Sequence, residues 1–536
     1  MKQLLSGVLV AASAILLLAS GAATGTAKEG GTFLVAEPAT YIDSIDASLG
    51  AAAGDVPIFS TTCSSLMRLP DEPLPTGFRP VPDLAAGFPR VSADGKTYVF
   101  TIRKGLRFST GAPVTAADVA STINRILNPA LKSQYSGAYE PIVGAQDVLS
   151  GKATAASGLV ARGGTLTIRL THRVGDFLAG AALSLCVLPA GLPFDPEGVK
   201  APVPSAAPYY ISEYVPGQRV VLERNRFYRG SRSHHVDRFV FDLTPDENTA
   251  LDEVASGKAD YAWVPNAFYA PRAHEFARRF GVNKRQFFVK PGTFLRMFVL
   301  NTSRPLLRNN VRLRQAINFA IDRPALLRES FGTYSGTLTD QFLPPIMPGF
   351  TNAHVYPLYK PDRARARALA RGHTRGGKLV LYVSTRAGVA AQAQIVKEDL
   401  AKIGLDVVIK AFPSPLIFEK LATRGEPFDM GWIGWLETEP DPGVLSQLFD
   451  GTTIGTPANN DYSYFNSSKY NRLLERASRL SGEARYRAYG KLDVEITRDA
   501  APGVAYSVDN ALTLVSARTG CVVVNPYLDL EAVCLK

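Results

Sequence analysis

The chain has 536 residues, of which 46% are hydrophobic and 20% are charged, and its formal net charge is +11. This composition is ordinary for a folded protein with a large core, so it excludes a long disordered chain, and the length corresponds to about three or four domain-sized units. The arginines are scattered apart from short groups such as Arg363 to Gly372, which is typical of a solvated helix face, so we expect no nucleic-acid partner.

The N-terminus carries a segment typical of a secretory signal. Lys2 precedes an apolar run from Leu4 to Ala19, and small residues follow up to Ala27. The run is short for a membrane span, so we predict a signal peptide over residues 1–27. We therefore expect export to the periplasm or the exterior of the cell envelope, without a lipid anchor, because no cysteine follows the apolar run.

Four cysteines lie beyond this segment, at positions 63, 186, 521 and 534. An even number of cysteines in an exported chain favours disulfide bonds over metal sites or redox chemistry. Three pairings are open, and we favour Cys521–Cys534 together with Cys63–Cys186. Four free buried thiols are the alternative.

The first half of the chain alternates strand and helix patterns. Residues 96–108 alternate apolar and polar side chains, which predicts a half-buried strand. Thr115 and Asp118 form a capping-box pattern at the start of a predicted helix over residues 115–127. Residues 165–170 predict another strand, and residues 251–263 predict a helix that ends near Gly257 and a strand after it.

The second half continues in the same way. Residues 314–331 predict two helices separated by a break at Asp322 to Pro324. An apolar strand over residues 378–384, a helix that ends at Gly404 and a strand over 405–409 predict a βαβ unit with two parallel strands. We therefore expect an α/β protein of several lobes, with mixed sheets and flanking helices.

The sequence contains no assembled catalytic or metal centre. Nucleophile-elbow, phosphate-loop and zinc-helix motifs are all missing. The adjacent pair His234 and His235 lies in an Arg/Ser-rich stretch that is typical of a solvated loop, and His274-Glu275 lacks the second histidine of a zinc helix. We predict no catalytic residue, no metal ligand, no cofactor and no enzymatic activity.

One stretch, "GWIGWLETEPDPG", places Glu437, Glu439 and Asp441 directly after Trp432 and Trp435. A glycosidase pair is one interpretation, although catalytic carboxylates usually come from separated segments. A turn that faces a ligand is another. A solvated acidic loop with both tryptophans in the core is the third, and the residues alone leave all three open.

Several blocks carry a resemblance to a known family when they are taken in order. They are "GGTFLVAEPATYIDSIDAS", "VPDLAAGFPRVSADGKTYVFTIRKGLRFSTGAPVTAADVASTINR", "FVLNTSRPLLRNNVRLRQAINFAIDRPALL" and "YRAYGKLDVEITRDAAPGVAY". The chain resembles the extracellular solute-binding proteins of family 5, the dipeptide- and oligopeptide-binding receptors of ABC importers. The resemblance covers essentially the whole chain after residue 27.

The resemblance implies a periplasmic-binding-protein-like fold of two lobes that close on a ligand, with an extra subdomain inserted in the first. We expect lobe I over residues 28–58, 191–290 and 500–536, the inserted subdomain over 59–190, and lobe II over 291–499.

The resemblance also implies a ligand site. Trp435 would line the ligand, the backbones of Gly434 and Leu436 would offer hydrogen bonds, and Glu437 or Glu439 would meet a cationic group. Ala36 and Glu37 would face them from lobe I, and Tyr506 is a further candidate.

Two departures from the family pattern bear on the ligand. Thr438 stands where peptide receptors of the family have the aspartate that pairs with the ligand's ammonium group. The family's Gly-Thr-Gly-Pro-Tyr turn is "PSAAPYY" here, so the turn loses the conformational freedom of glycine.

The resemblance finally implies a function. We predict a monomeric receptor that binds a peptide or a similar small polar solute and delivers it to the permease subunits of an ABC importer. Nickel-chelate, oligosaccharide and opine ligands remain open within the family, because one fold serves many ligands. A secreted glycoside hydrolase that uses Glu437 is the alternative from another class.

Overall fold

The computed structural model describes most of the chain after the predicted signal peptide, residues 1–27, which lie outside the described residues. Described are residues 28–50, 54–73, 76–180, 183–330, 332, 334–386, 388–414, 416–436, 441–455, 460–524 and 527–536. Among these residues no helix combines the length and apolar character that a membrane span requires.

The strands are β1 (Thr32–Pro38), β2 (Met67–Arg68), β3 (Val81–Pro82), β4 (Arg90–Val91), β5 (Thr97–Thr101), β6 (Leu159–Arg162), β7 (Thr165–Arg169), β8 (Tyr209–Val215), β9 (Arg219–Arg224), β10 (Arg238–Thr244), β11 (Tyr261–Ala262), β12 (Phe287–Leu300), β13 (Gly336–Leu338), β14 (Lys378–Ser384), β15 (Asp406–Phe412), β16 (Met430–Leu436), β17 (Gly503–Leu514), β18 (Thr519–Gly520) and β19 (Cys534–Leu535).

The α-helices are α1 (Asp55–Thr62), α2 (Ala116–Leu127), α3 (Ala145–Leu149), α4 (Glu247–Ser256), α5 (Asn266–Phe280), α6 (Val311–Ala320), α7 (Arg323–Glu329), α8 (Arg363–Ala370), α9 (Val389–Ala401), α10 (Leu416–Ala422), α11 (Val444–Phe449), α12 (Ser468–Ser478) and α13 (Gly482–Glu495).

Lobe I is built on a five-stranded sheet in the order β11-β1-β10-β9-β8. Strand β1 is the second strand of this sheet and pairs in parallel with both β10 and β11. Apolar cores cover both of its faces. The predicted helix and strand around Gly257 are confirmed as α4 and β11, and Gly257 ends the helix in the left-handed conformation that glycine adopts without strain.

The inserted subdomain has its own core around the antiparallel sheet β4-β5-β7-β6. The predicted strands are β5 and β7, which pair directly, and the predicted helix is α2. The capping box is present: the Thr115 side chain accepts from the Asp118 N–H, and the Asp118 carboxylate accepts from the Thr115 N–H at 2.7 Å.

Lobe II is built on a six-stranded mixed sheet in the order β13-β17-β12-β16-β14-β15, with a core on each face. The predicted βαβ unit is β14, α9 and β15, and its two strands are parallel. The predicted helical break is also present, because α7 starts after Asp322, whose side chain accepts from the Ala325 N–H at 2.9 Å.

Two long antiparallel strands, β12 and β17, join the lobes. The first half of β12 and the last half of β17, which we call the outer halves, begin at the pair Phe287–Leu514 and pack in the core of lobe I. Their inner halves pair at Val299–Gly503 and belong to the six-stranded sheet of lobe II. The residues that begin β17 thus pair within the sheet of lobe II, and the residues that end it pack in the core of lobe I. The predicted boundary between the lobes at residue 500 stays a prediction.

Both favoured disulfide bonds are present. Cys63–Cys186 joins the end of α1 to the far end of the inserted subdomain, and Cys521–Cys534 joins β18 to β19. The two cysteines of the second bond are only 13 positions apart in the sequence. This bond holds the C-terminal tail beside the segment before β1, where Lys28 pairs with Leu535.

We expect the double substitution Cys521→Ser and Cys534→Ser to lower the free energy of unfolding of lobe I by about 3 kcal/mol, because a short loop is released in the unfolded chain. Calorimetric melting in the absence of reductant measures this effect. The double variant keeps only Cys63–Cys186, so a further fall in its melting temperature after reduction should measure the contribution of that bond alone. An unchanged melting temperature in the variant would contradict a stabilising role for the tail bridge.

Candidate ligand site

Strand β1 ends at a buried acidic side chain. Glu37 is fully buried, and neither of its carboxylate oxygens has a hydrogen-bond partner in the described part of the chain. A Cβ atom on Gly54 would collide with its Oε1, so the absence of a side chain at position 54 makes room for this carboxylate. Buried polar atoms without partners are rare in folded proteins and call for a functional explanation.

The surroundings of Glu37 disfavour its charged form. Burial is the main cause of a pKa well above the ordinary glutamate value, and repulsion from the carboxylate of Asp55 at the start of α1 adds to it. Nearby, the Tyr41 hydroxyl donates a hydrogen bond to Glu247, and burial together with this carboxylate raises the pKa of Tyr41. The end of β1 is therefore an acidic environment with capacity for a cation.

Strand β16 carries the aromatic candidate. Trp432 and Trp435 are three positions apart and lie on opposite faces of the sheet. Trp432 is fully buried, and its Nε1 donates to the Tyr506 hydroxyl at 3.0 Å. Trp435 is half-buried against the other core of lobe II, and its Nε1 is buried without a hydrogen-bond partner among the described residues.

The strand leaves the core at this point. Gly434 lies under the ring of Phe294, where any Cβ would collide with the aromatic carbons, and Leu436 is 49% exposed. Residues 434–436 thus provide a backbone edge, an aromatic surface and an unsatisfied donor on one short segment.

A buried ion pair lies beside this segment and was missed in the sequence. Arg296 of β12 is opposite Gly434 in the register and binds Asp509 of β17 through two hydrogen bonds of 2.5 and 2.8 Å. Attraction to Asp509 raises the pKa of Arg296 despite its burial. Polar residues inside the two apolar strands that join the lobes were the sequence signal that could have indicated it.

The remaining predicted residues divide into two groups. Ala36 and Tyr506 belong to the cores: Ala36 lies between β10 and β11, and the Tyr506 hydroxyl also donates to Gln392 at 3.2 Å. Both side chains are completely buried in this structure. Their contact with a ligand stays a prediction. Glu437, Thr438 and Glu439 lie outside the described residues.

Asp441, the third acidic residue of the stretch, has a structural partner. Its carboxylate accepts three hydrogen bonds of 2.6 to 3.0 Å from the guanidinium of Arg485 on α13, and both side chains are buried. Asp176 of the inserted subdomain lies 3.7 Å from the same guanidinium. We call these three residues the Arg485 cluster. The spacing of Asp441 and Arg485 in the sequence gave no signal of this contact.

The Arg485 cluster is part of a larger contact between the inserted subdomain and lobe II. Phe78 is buried in the core of lobe II, and Arg79 forms an ion pair with Glu483 and lies over the ring of Tyr486. The inserted subdomain therefore touches both lobes of the protein.

A group of three carboxylates could hold a metal ion, namely Asp71, Asp529 and Glu531, whose ligand atoms lie within 4.8 Å of one another. Arg68 binds Asp71 at 2.7 Å, and Arg232 binds Glu531 at 2.7 Å. These arginines neutralise much of the negative charge of the three carboxylates. The group therefore has a structural role, because its contacts connect the inserted subdomain to the C-terminal tail.

The adjacent histidines His234 and His235 are both half-buried. The His234 ring nitrogen contacts the Arg232 carbonyl at 2.9 Å, and the His235 ring contacts Glu29 at 2.8 Å, so the two side chains serve separate contacts.

Comparison with known proteins adds a family match. The model described as "Bacterial extracellular solute-binding proteins, family 5 Middle" matches residues 79–457, which is more than half of the chain. The match begins within the inserted subdomain and extends through most of lobe II.

Curated relatives match over most of their length. Heme-binding protein A of Haemophilus influenzae is 24% identical over 466 residues, which cover 82% of this chain and 80% of the relative. Oligopeptide-binding protein OppA of Bacillus subtilis is 25% identical over 406 residues, 72% of each chain. Glutathione-binding protein GsiB of Salmonella choleraesuis is 26% identical over 375 residues, 68% of each chain.

Solved structures show the same fold. Clavulanic acid biosynthesis oligopeptide binding protein 2 superposes with a TM-score of 0.80 at 22% identity and covers 95% of this chain and 96% of its own. The murein tripeptide binding protein MppA in its unliganded open form gives a TM-score of 0.79 at 20% identity, with 95% and 98% covered. The architecture is thus the two-lobe fold of periplasmic binding proteins.

Proposed function

The chain belongs to family 5 of the bacterial extracellular solute-binding proteins, and from this premise we propose that it is a receptor for small peptides with a free amino group. It binds the peptide between its lobes, outside the cytoplasm, and delivers it to the permease of an ABC importer. Its role is binding without turnover, and it acts as a monomer.

The observation that carries this proposal is the buried carboxylate of Glu37, which has no hydrogen-bond partner among the residues that the structure describes. An orphan carboxylate is costly in an unliganded protein, and a ligand cation repays that cost by supplying the missing charge and hydrogen bonds. A peptide ammonium group fits this chemistry. The relatives named for oligopeptides and for glutathione support a peptide as the ligand class.

Trp435 supplies the second part of the site. Its exposed ring surface covers apolar parts of the ligand, and its Nε1, which has no partner among the described residues, donates to a ligand carbonyl. The backbone of Gly434 and Leu436 adds hydrogen bonds that read the peptide main chain irrespective of side chain. Glu437 and Glu439 stay predicted contacts for a cationic group.

Lobe closure follows from this arrangement. β12 and β17 are the strands that connect the lobes, and their register is irregular between Pro291 and Leu295. A ligand that contacts Glu37 on lobe I and Trp435 on lobe II binds the closed state better than the open one and shifts the population toward it.

A binding screen tests the function. Isothermal titration of the mature protein with di- to pentapeptides of alanine and of lysine, with glutathione and with haem, should give binding to at least one peptide. Mass spectrometry of compounds released by denaturation should identify a peptide that co-purifies. Binding of haem alone, or turnover of any peptide, would overturn the proposed ligand class or role.

We expect Trp435→Ala to weaken binding of the tightest peptide about tenfold, because truncation of a buried aromatic contact removes both apolar surface and a donor. Trp435→Phe keeps the ring and loses the donor, so its affinity should fall between those of the wild type and the alanine variant. Tyr359→Ala, at an exposed residue of lobe II, is the control. Equal affinities for all four proteins would remove Trp435 from the site.

A further inference from the structure

Helix α8 presents a dense row of arginines. The helix carries three exposed arginines, Arg363, Arg365 and Arg367, and two more follow it, Arg371 and Arg375. Ala366 and Ala370 are buried on the opposite side of the helix. Between residues 360 and 378 the sequence contains one carboxylate, Asp362, whose side chain caps the helix by accepting from the Arg365 N–H. The small alanines let the helix lie close to its neighbour and direct the arginines toward solvent.

The neighbouring helix extends the same surface. Helix α6 packs against α8. It contributes Arg312, and the segment before it contributes Arg308; both arginines are exposed. The Arg375 guanidinium donates to the carbonyls of Pro305 and Arg308 at 2.5 and 2.8 Å, which joins the two segments. We call these seven exposed arginines the arginine face.

The arginine face holds much of the protein's excess charge. Seven arginines face the carboxylates of Asp362 and Asp399, in a chain whose net charge is +11. Arg363 lies 3.7 Å from Asp399, but Arg312, Arg367 and Arg371 have no ion pair within the described residues. Like charges four residues apart on a helix repel one another, so the fold holds these side chains together at a cost.

We propose that the arginine face binds the anionic phospholipid headgroups of a membrane surface. Guanidinium groups bind phosphate through paired hydrogen bonds, and several on one face add their attraction to a negatively charged bilayer. The attraction concentrates the receptor at the membrane, where a permease must be found. The proposal does not depend on which ligand the cleft binds.

A lipid surface fits this face better than a folded acidic partner. Four of the arginines lie on two packed helices and three lie in the segments next to them. All seven are exposed, which suits a diffuse surface of mobile phosphates. Tyr359 is 80% exposed and lines a shallow groove together with Arg365 and Asp362. An amphipathic ring beside cationic side chains is typical of residues at the bilayer interface.

Co-sedimentation of the mature chain with vesicles tests the proposal. Vesicles of equimolar phosphatidylglycerol and phosphatidylcholine should bind the protein at low salt, and added sodium chloride should release it, because salt screens exposed charges. Vesicles of phosphatidylcholine alone should bind it at least about tenfold more weakly. Equal binding to both vesicles, or no binding to the anionic ones, overturns the proposal.

A matched pair of variants assigns the binding to the face. The triple substitution Arg312→Glu, Arg367→Glu and Arg371→Glu should weaken binding to the anionic vesicles at least about tenfold. The control Arg278→Glu, Lys284→Glu and Arg285→Glu makes the same change in net charge at exposed residues of lobe I and should bind nearly as the wild type does. An equal loss in both would show a net-charge effect and overturn the assignment. Circular dichroism verifies that both variants are folded.

Discussion

We expect Glu37→Gln to stabilise the free protein and to weaken ligand binding by about two to three orders of magnitude. The two effects have opposite signs because one carboxylate causes both. In the described part of the chain the buried carboxylate has no hydrogen-bond partner, so we expect a neutral amide of the same shape to remove a desolvation cost. In the complex the same group neutralises a buried cation, and its loss costs about 2–5 kcal/mol.

Titration with two matched peptides separates the contribution of the ligand's charge to binding from that of its shape. The tightest peptide of the screen and its N-acetylated form differ only in the ammonium group. The wild type should prefer the free amine strongly, and Glu37→Gln should bind the two peptides with similar, weak affinity. Glu140→Gln, at an exposed glutamate of the inserted subdomain, is the control and should keep the wild-type preference.

The predicted site would be wrong if Glu37→Gln kept the preference for the free amine. It would also be wrong if the substitution destabilised the free protein, because that result would indicate a structural partner for the carboxylate. A weaker affinity for both peptides with an unchanged ratio would place Glu37 at a position that shapes the cleft without contact to the ammonium group.

The raised pKa of Glu37 gives a pH dependence with a defined sign. Its pKa in the folded protein lies above the unfolded value of about 4.3, so between these two values the folded state holds a proton that the unfolded state has lost. The contribution of Glu37 is most favourable below the unfolded pKa and is lost as the pH rises through the folded pKa. The melting temperature of Glu37→Gln minus that of the wild type should therefore increase from about pH 4 upward.

The same shift predicts proton release on binding. A ligand cation favours the ionised carboxylate and lowers its pKa, so a proton that Glu37 holds in the free protein leaves when the peptide binds. Titrations in buffers of different ionisation enthalpy measure this proton. Glu37→Gln should abolish the buffer dependence, whereas Glu140→Gln should preserve it.

Much of the fold could be predicted from the sequence because its signals are local. The capping box of α2 and the break before α7 each depend on residues within one turn of each other. The βαβ unit that ends in β15 is built from three elements that follow one another along the chain. The extent of lobe II was harder to predict from the sequence. Strand β17 is apolar along both halves, and which half joins which sheet depends on β12, which lies about two hundred residues away.

The candidate site was less predictable because burial is a tertiary property. Glu37 follows an apolar strand and precedes Pro38, and nothing nearby indicates that Gly54 and Asp55 enclose its carboxylate. Tyr506 is a residue type that often contacts ligands, yet its hydroxyl forms hydrogen bonds with Trp432 and Gln392 from two other elements. The sequence therefore indicated candidate residues at the ends of two strands, and their contact with a ligand stays a prediction.

The second large effect concerns the Arg485 cluster. We expect Arg485→Met to lower the free energy of unfolding of lobe II by about 3–5 kcal/mol, because it leaves the carboxylate of Asp441 buried without its partner. Urea denaturation followed by tryptophan fluorescence measures this loss, since Trp432 and Trp435 both lie in lobe II. Arg479→Met, which breaks an exposed pair with Glu475 nearby, should cost less than about 1 kcal/mol.

A double-mutant cycle distinguishes an ion pair from simple packing. Adding Asp441→Asn to Arg485→Met removes the orphaned charge, so the double variant should regain part of the stability that the single variant loses. Asp176→Asn, at the more exposed member of the cluster, should leave stability nearly unchanged, since screening weakens its attraction to Arg485. If Asp176→Asn nevertheless alters peptide affinity, the contact between the inserted subdomain and lobe II contributes to closure. Additive losses in the cycle would contradict the coupling and leave Arg485 as a packing residue.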